Sequence, residues 1–249
     1  MHYEHYVALG DSYTSDLFPS LDLGLMDVAV ALEREQRAGE LAPVGAASLL
    51  HRNDDERYPE FAGRDLVSRC PGITFRNLSE DGATIGDVFG EQLPELAESE
   101  APTLVTLTLG ATDLLSAFAR GAGDTIVRHA AHDIGEAYDF LVDAIRRARP
   151  RATIVVTTVC DPSDGTGVMP GIGTTARPIA LDALASLNAR IAAAAQGAPH
   201  VVLADAHAHF QGHGASVEEK HRWYWRRSPL EPNAIGASEL RRVWLEALG

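Results

Sequence analysis

Cysteine is nearly absent from this sequence, with only Cys70 and Cys160 in 249 residues. They match no metal-ligand spacing and cannot build a disulfide framework, so both are expected as buried, reduced thiols. Long apolar runs are missing too. No stretch approaches the roughly 18 apolar residues of a membrane span, and the apolar run ending at Gly10 lacks a basic leader and is too short for a secretory core. Together these absences point to the cytoplasm. Basic residues are few: 21 Lys and Arg against 35 Asp and Glu give a formal net charge of −14. That charge repels phosphate backbones and anionic lipid, which argues against nucleic acid and membrane as partners. The one dense basic cluster, residues 222–227, is interleaved with Trp223, Tyr224 and Trp225, and reads as a partly buried loop whose arginines pair with carboxylates.

What is present is an ordinary globular composition, 45% hydrophobic and 22% charged, without repeats or low complexity. One domain spanning residues 1–249 is expected. Five short β-branched runs, at residues 6–10, 73–78, 104–110, 153–159 and 201–206, alternate with helical patterns at 60–70, 133–149, 181–196 and 237–248. In the second helix Ile134, Ala137, Phe140, Leu141, Ala144 and Ile145 form the expected buried stripe. Near-continuous hydrophobicity in the strands argues for cover on both faces. The fold class is therefore α/β, a three-layer αβα architecture with a doubly wound, five-stranded parallel sheet of flavodoxin-like type. Two connections are long. Residues 15–58 form an insertion expected to shape specificity or a homo-oligomer interface, and residues 161–177 are rich in turn signals; both are candidate lids over the carboxyl edge of the sheet.

The sharpest chemical signal is Gly10-Asp11-Ser12-Tyr13-Thr14 at the end of the first strand. A tight turn there presents the Ser12 hydroxyl at the open edge of the sheet together with its own N–H, which suits an acyl-transfer nucleophile. This block resembles the first block of the SGNH/GDSL hydrolases, a family of esterases, lipases, thioesterases and deacetylases. Asn77-Leu-Ser-Glu-Asp-Gly82 is similar to the family's second block, which implies an oxyanion-binding N–H at Gly82. Gly110-Ala-Thr112-Asp113 stands where the third block has Gly-x-Asn-Asp, so Thr112 replaces the oxyanion-binding Asn. Ser228-Pro-Leu-Glu231, followed by Pro232-Asn-Ala-Ile-Gly236, stands where the last block has Asp-x-x-His. The usual base and its orienting carboxylate are both replaced.

A serine nucleophile still needs a base within hydrogen-bond reach. The richest source is Asp205-Ala-His207-Ala-His209-Phe-Gln-Gly-His213 after the fifth strand. His213 is the preferred candidate there, with Asp205 or Glu231 to orient it. Glu231 is a second candidate base in its own right, or an ion-pair partner for Arg226, Arg227 or Arg241. His207 and His209 on one face of a strand, with His213, Asp205, Asp11, Asp113 and Asp161, have the residue types of a metal site but no recognised spacing. No metal and no cofactor are expected.

The expected function is hydrolysis of a small-molecule carboxylic ester through an acyl-enzyme on Ser12. Its alternative is a catalytically degenerate relative that binds a small ligand or a protein.

Overall fold

A computed structural model of the chain describes residues 2–25, 27, 29–30, 41–120, 123–168, 178 and 180–249. Five parallel strands form the central sheet: β1 (His5–Gly10), β2 (Thr74–Asn77), β3 (Thr103–Thr108), β4 (Ala152–Thr157) and β5 (Val201–Ala204), in the order β2-β1-β3-β4-β5. Side chains alternate across each strand. Val7, Leu9, Val105, Leu107, Ile154 and Val156 therefore enter one core layer, while Tyr6, Ala8, Leu104 and Val155 enter the other.

The helices in chain order are α1 (Leu17–Asp22), α2 (Ala46–His51), α3 (Leu66–Arg69), α4 (Ile85–Asp87), α5 (Leu93–Glu95), α6 (Ala111–Ala119), α7 (Asp124–Ala148), α8 (Leu181–Gly197), α9 (Ala206–Phe210) and α10 (Ala234–Leu248). The long helices α7 and α8 contribute Val127, Tyr138, Leu141, Leu187 and Ile191 to the first core layer. Helix α10 closes the second with Leu240, Val243 and Trp244, whose indole N–H donates to the Thr157 hydroxyl at 3.0 Å. Asn233 caps α10 by accepting from the Gly236 N–H.

Three sequence expectations change. The 60–70 helix is a 3₁₀ turn (Pro59–Phe61) and the short α3, separated by Gly63 at φ +72° and restarted by the Asp65 cap. Helix α7 begins at Asp124, and its buried stripe runs through Val127, Ala131, Ile134, Tyr138, Leu141 and Ile145. Phe140 lies off that stripe and is 67% exposed. Residues 223–232 also hold an unforeseen antiparallel pair, β6 (Tyr224–Trp225) and β7 (Ser228–Pro232).

The described parts of the 15–58 insertion, a candidate lid in the sequence, pack against the rest of the chain. Asp16 accepts from the Gly45 N–H and the Ser48 hydroxyl, and Leu17 and Phe18 pack with Trp225. Asp22 accepts from the Ala234 N–H at the start of α10. Residues 26, 28 and 31–40 of this insertion, and 169–177 of the second candidate lid, lie outside the described residues.

Candidate active site

The strand-to-loop turn after β1 is held in place from several sides. Gly10 has φ +124°, and a Cβ there would stand 1.9 Å from the Thr108 carbonyl oxygen, so only glycine fits. Pairing of β1 with β2 ends at Ala8 and Asn77. Beyond that point the buried Gln92 side chain replaces the missing ladder: it accepts from the Gly10 N–H at 2.8 Å and donates to the Gly10 carbonyl at 2.9 Å. Next, the Asp11 N–H donates to the Thr108 carbonyl at 3.1 Å, and the Asp11 carboxylate accepts from the Tyr13 N–H at 3.2 Å. Burial pushes the Asp11 carboxyl up to about 6, against the hydrogen bonds from Thr108 and Tyr13 that pull it down.

Ser12 sits on this turn, 5% exposed. Its carbonyl accepts from the N–H and the hydroxyl of Ser15, each at 3.2 Å. Neither its own N–H nor its own hydroxyl has a partner among the described residues.

Gly82, at φ +70°, lies in the loop after β2. Burial raises the neighbouring Asp81 carboxyl, and the nearby Gly82 backbone partly offsets the rise. Thr112 is the second residue of α6, beyond Gly110 at φ +106°. Its neighbour Asp113 accepts from the Ile85 N–H at 3.1 Å, which ties the second and third sequence blocks together.

The candidate base is where the structure departs most from the sequence expectation. The His213 ring stacks on Trp223, with centroids 3.6 Å apart and planes 6° from parallel, and its Nδ1 is 3.1 Å from the His221 carbonyl. The loop that carries it is fixed by Asp164, which accepts from the N–H groups of Gly212, Gly214 and Ser216. Asp205 does not orient His213. Its carboxylate caps α9 through the Ala208 N–H and accepts from the Thr158 hydroxyl at 2.9 Å. His207 and His209 lie on α9 rather than on a strand, so the alternation argument for chelation fails. The Nδ1 of His207 is 3.1 Å from the Val159 carbonyl, and the Nε2 of His209 is 2.9 Å from Glu239. Among the described residues no three His, Cys, Asp or Glu side chains are grouped to hold a metal.

Glu231 lies on β7, beside Leu230. The Leu230 carbonyl accepts from the Tyr13 hydroxyl at 3.1 Å, so the last sequence block is fastened to the residue after Ser12. Burial raises the Tyr13 phenol well above its ordinary range, and the proximity of Tyr224, Cys160 and Glu231 adds to that effect. Tyr13 is the residue that the sequence reading missed, although it stands inside the first block. Arg241, a suggested partner of Glu231, instead reaches Asn53 and Ser238 and lies over the Phe61 ring. Arg222, expected to meet a carboxylate, donates to the carbonyls of Val217 and Ala215.

Residues 8–237 match the sequence profile of the GDSL-like Lipase/Acylhydrolase family. The chain belongs to this family. Comparison with curated proteins gave no match. Among solved structures, the GDSL chain is similar to an extracellular lipase from Streptomyces rimosus, at 20% identity over 98% of this chain and 99% of the other, with a TM-score of 0.57. It is similar to phospholipase A1 from Streptomyces albidoflavus NA297, at 20% identity over 99% and 98%, with a TM-score of 0.60. It is also similar to the acetylxylan esterase Axe2 from Geobacillus stearothermophilus, at 14% identity over 100% and 95%, with a TM-score of 0.59. At these identities the likeness establishes the shared fold, in which the sequence blocks of this GDSL protein fall at the carboxyl edge of the sheet. Among the described residues no helix is long and apolar enough to cross a membrane.

Proposed function

We propose that this GDSL protein hydrolyses carboxylic esters through Ser12, with Glu231 in place of the family histidine as general base. The observation that carries the reading is the hydrogen bond from the Tyr13 hydroxyl to the Leu230 carbonyl, because it holds the Glu231 strand against the nucleophile turn. In the first step the Glu231 carboxylate takes the Ser12 hydroxyl proton as Oγ bonds to the ester carbonyl carbon. The oxyanion draws on the N–H groups of Ser12 and Gly82 and on the Thr112 hydroxyl. The alkoxy group then leaves with the proton from Glu231, giving the acyl-enzyme and an alcohol. Water, deprotonated by the same carboxylate, attacks the acyl carbon; the acid leaves and Ser12 recovers its proton.

A carboxylate is a weaker base than an imidazole, with ordinary values of about 4.3 and 6.5. Proton abstraction from serine is slower for that reason, so this is a slow esterase. On the side of the turn facing β2, a groove of about 570 Å³, bordered by Ser15, Asp16, Asn77 and Glu80, has the size of a small-molecule site and suits the alcohol portion of the ester.

A second reading, a non-catalytic ligand-binding relative, is favoured by one observation: Thr112 and Glu231 stand where the family blocks carry Asn and His. Turnover of p-nitrophenyl acetate separates the two. The esterase shows turnover that is lost in Ser12→Ala and Glu231→Gln, whereas the binder shows none.

A further inference from the structure

Beside the nucleophile turn lies a second, smaller and partly open cavity, of about 40 Å³. Leu114, Leu115, Val159, Leu184 and Leu230 supply its apolar wall, and all five belong to the core layer shared with α7 and α8. Tyr13 and Ala111, the chain neighbours of Ser12 and Thr112, line the side of the proposed chemistry, and Cys160, Asp161 and Pro162 complete the wall. The residues flanking the nucleophile, an oxyanion donor and the base therefore converge on one apolar space.

The position and size of this space carry the argument. An ester bound for attack presents its carbonyl carbon to Ser12 and its carbonyl oxygen to the donors, so the acyl chain continues past Tyr13 and Ala111. A water-sized group needs about 10–15 Å³ of such volume, so the cavity accommodates about three of them. Leu114 and Leu184 are nearly fully buried, at 3% and 5% exposure, and cannot move aside without disturbing the core. A longer chain has to displace the half-buried Leu115 or Leu230.

We infer that the cavity bounded by Leu115, Leu184 and Leu230 is the acyl site, and that it restricts the substrate to esters of short-chain acids of about two to four carbons. The inference rests on Ser12 acting as proposed above. Its mainly apolar lining, with the buried Asp161 in the wall, excludes acyl groups that carry a negative charge, because a buried anion without a partner is strongly unfavourable there.

The test uses the full chain with p-nitrophenyl acetate, butyrate and octanoate, and, apart from chemistry, saturation-transfer NMR of ethyl butyrate and ethyl octanoate on the Ser12→Ala protein. The expected kcat/KM falls by about ten-fold or more from butyrate to octanoate, and Leu115→Ala narrows that gap to within about three-fold. Ethyl butyrate receives saturation from Ser12→Ala, and the signal disappears when Leu115→Trp is added. Octanoate turned over as fast as butyrate, or butyrate binding indifferent to Leu115→Trp, overturns the inference. If ethyl butyrate binds at Leu115 while the native protein hydrolyses no ester, the acyl-site assignment stands as a binding site and the esterase reading fails.

Discussion

The Tyr13 hydroxyl donates to the Leu230 carbonyl at 3.1 Å, joining residues 217 positions apart in the chain. It links the turn that carries Ser12 to the strand that carries Glu231. If this bond positions the base, Tyr13→Phe lowers kcat for an activated ester by more than its effect on stability, which is about 1 kcal/mol for one neutral hydrogen bond. Urea unfolding and initial rates on the same preparation check this. Unchanged kcat in a protein destabilised by that amount would make the bond purely structural.

Gln92 supplies the partners that β2 does not give to Gly10. In Gln92→Leu the Gly10 carbonyl still accepts from the Glu80 N–H, but the buried Gly10 N–H is left without an acceptor. The expected loss is about 1–3 kcal/mol, the desolvation cost of one unsatisfied donor. An unchanged urea midpoint would show that the turn does not depend on this clamp.

Most of the fold was legible in the sequence because β1, β3 and β4 are buried nearly throughout and read as continuous apolar, β-branched runs. Each falls within a few residues of its expected bounds. The β6–β7 pair was not legible, because two- and five-residue strands are too short for a period and Pro229 and Pro232 suggest a loop. The blocks that carry Ser12, Gly82 and Thr112 follow β1, β2 and β3 in the order read from the sequence. The surroundings of His213 were not legible, since a histidine between glycines in a loop reads as free, while stacking on Trp223 and the Asp164-held loop are tertiary facts. Asp205 failed for a local reason: an aspartate before Ala-His-Ala is a helix cap.

Asp11 titrates at about 6 because burial disfavours its charge. Its folded value is raised, so the folded state binds more protons than the unfolded one between about pH 4 and 6, and stability falls as pH rises through that window. Asp11→Asn keeps an oxygen for the Tyr13 N–H and removes the charge. Relative to the native protein it gains stability from pH 4 to 6, to a plateau on the order of 3 kcal/mol. Urea titrations at several pH values measure this, and a difference that stays flat with pH would refute the assignment.

Glu239 behaves in the opposite way. Burial raises its carboxyl, but hydrogen bonds from His209 and Arg242 outweigh burial and hold it down at about 2. Its contribution is fully present above the ordinary carboxylate value and is lost as pH falls through about 2. Glu239→Gln costs roughly 1 kcal/mol at pH 7 after solvent screening and leaves ester turnover unchanged. Lost turnover without lost stability would return His209 to the list of candidate bases.

The central claim is that Ser12 is activated by Glu231 and not by a histidine. Covalent capture by a fluorophosphonate, read by intact mass, tests it without knowledge of the substrate. The account predicts labelling of the native protein and of His213→Ala at equal rates, no labelling of Ser12→Ala, and labelling slowed by about 10² or more in Glu231→Gln. Labelling that survives in Glu231→Gln but vanishes in His213→Ala, or a native protein left unmodified where a control esterase reacts fully, would contradict it.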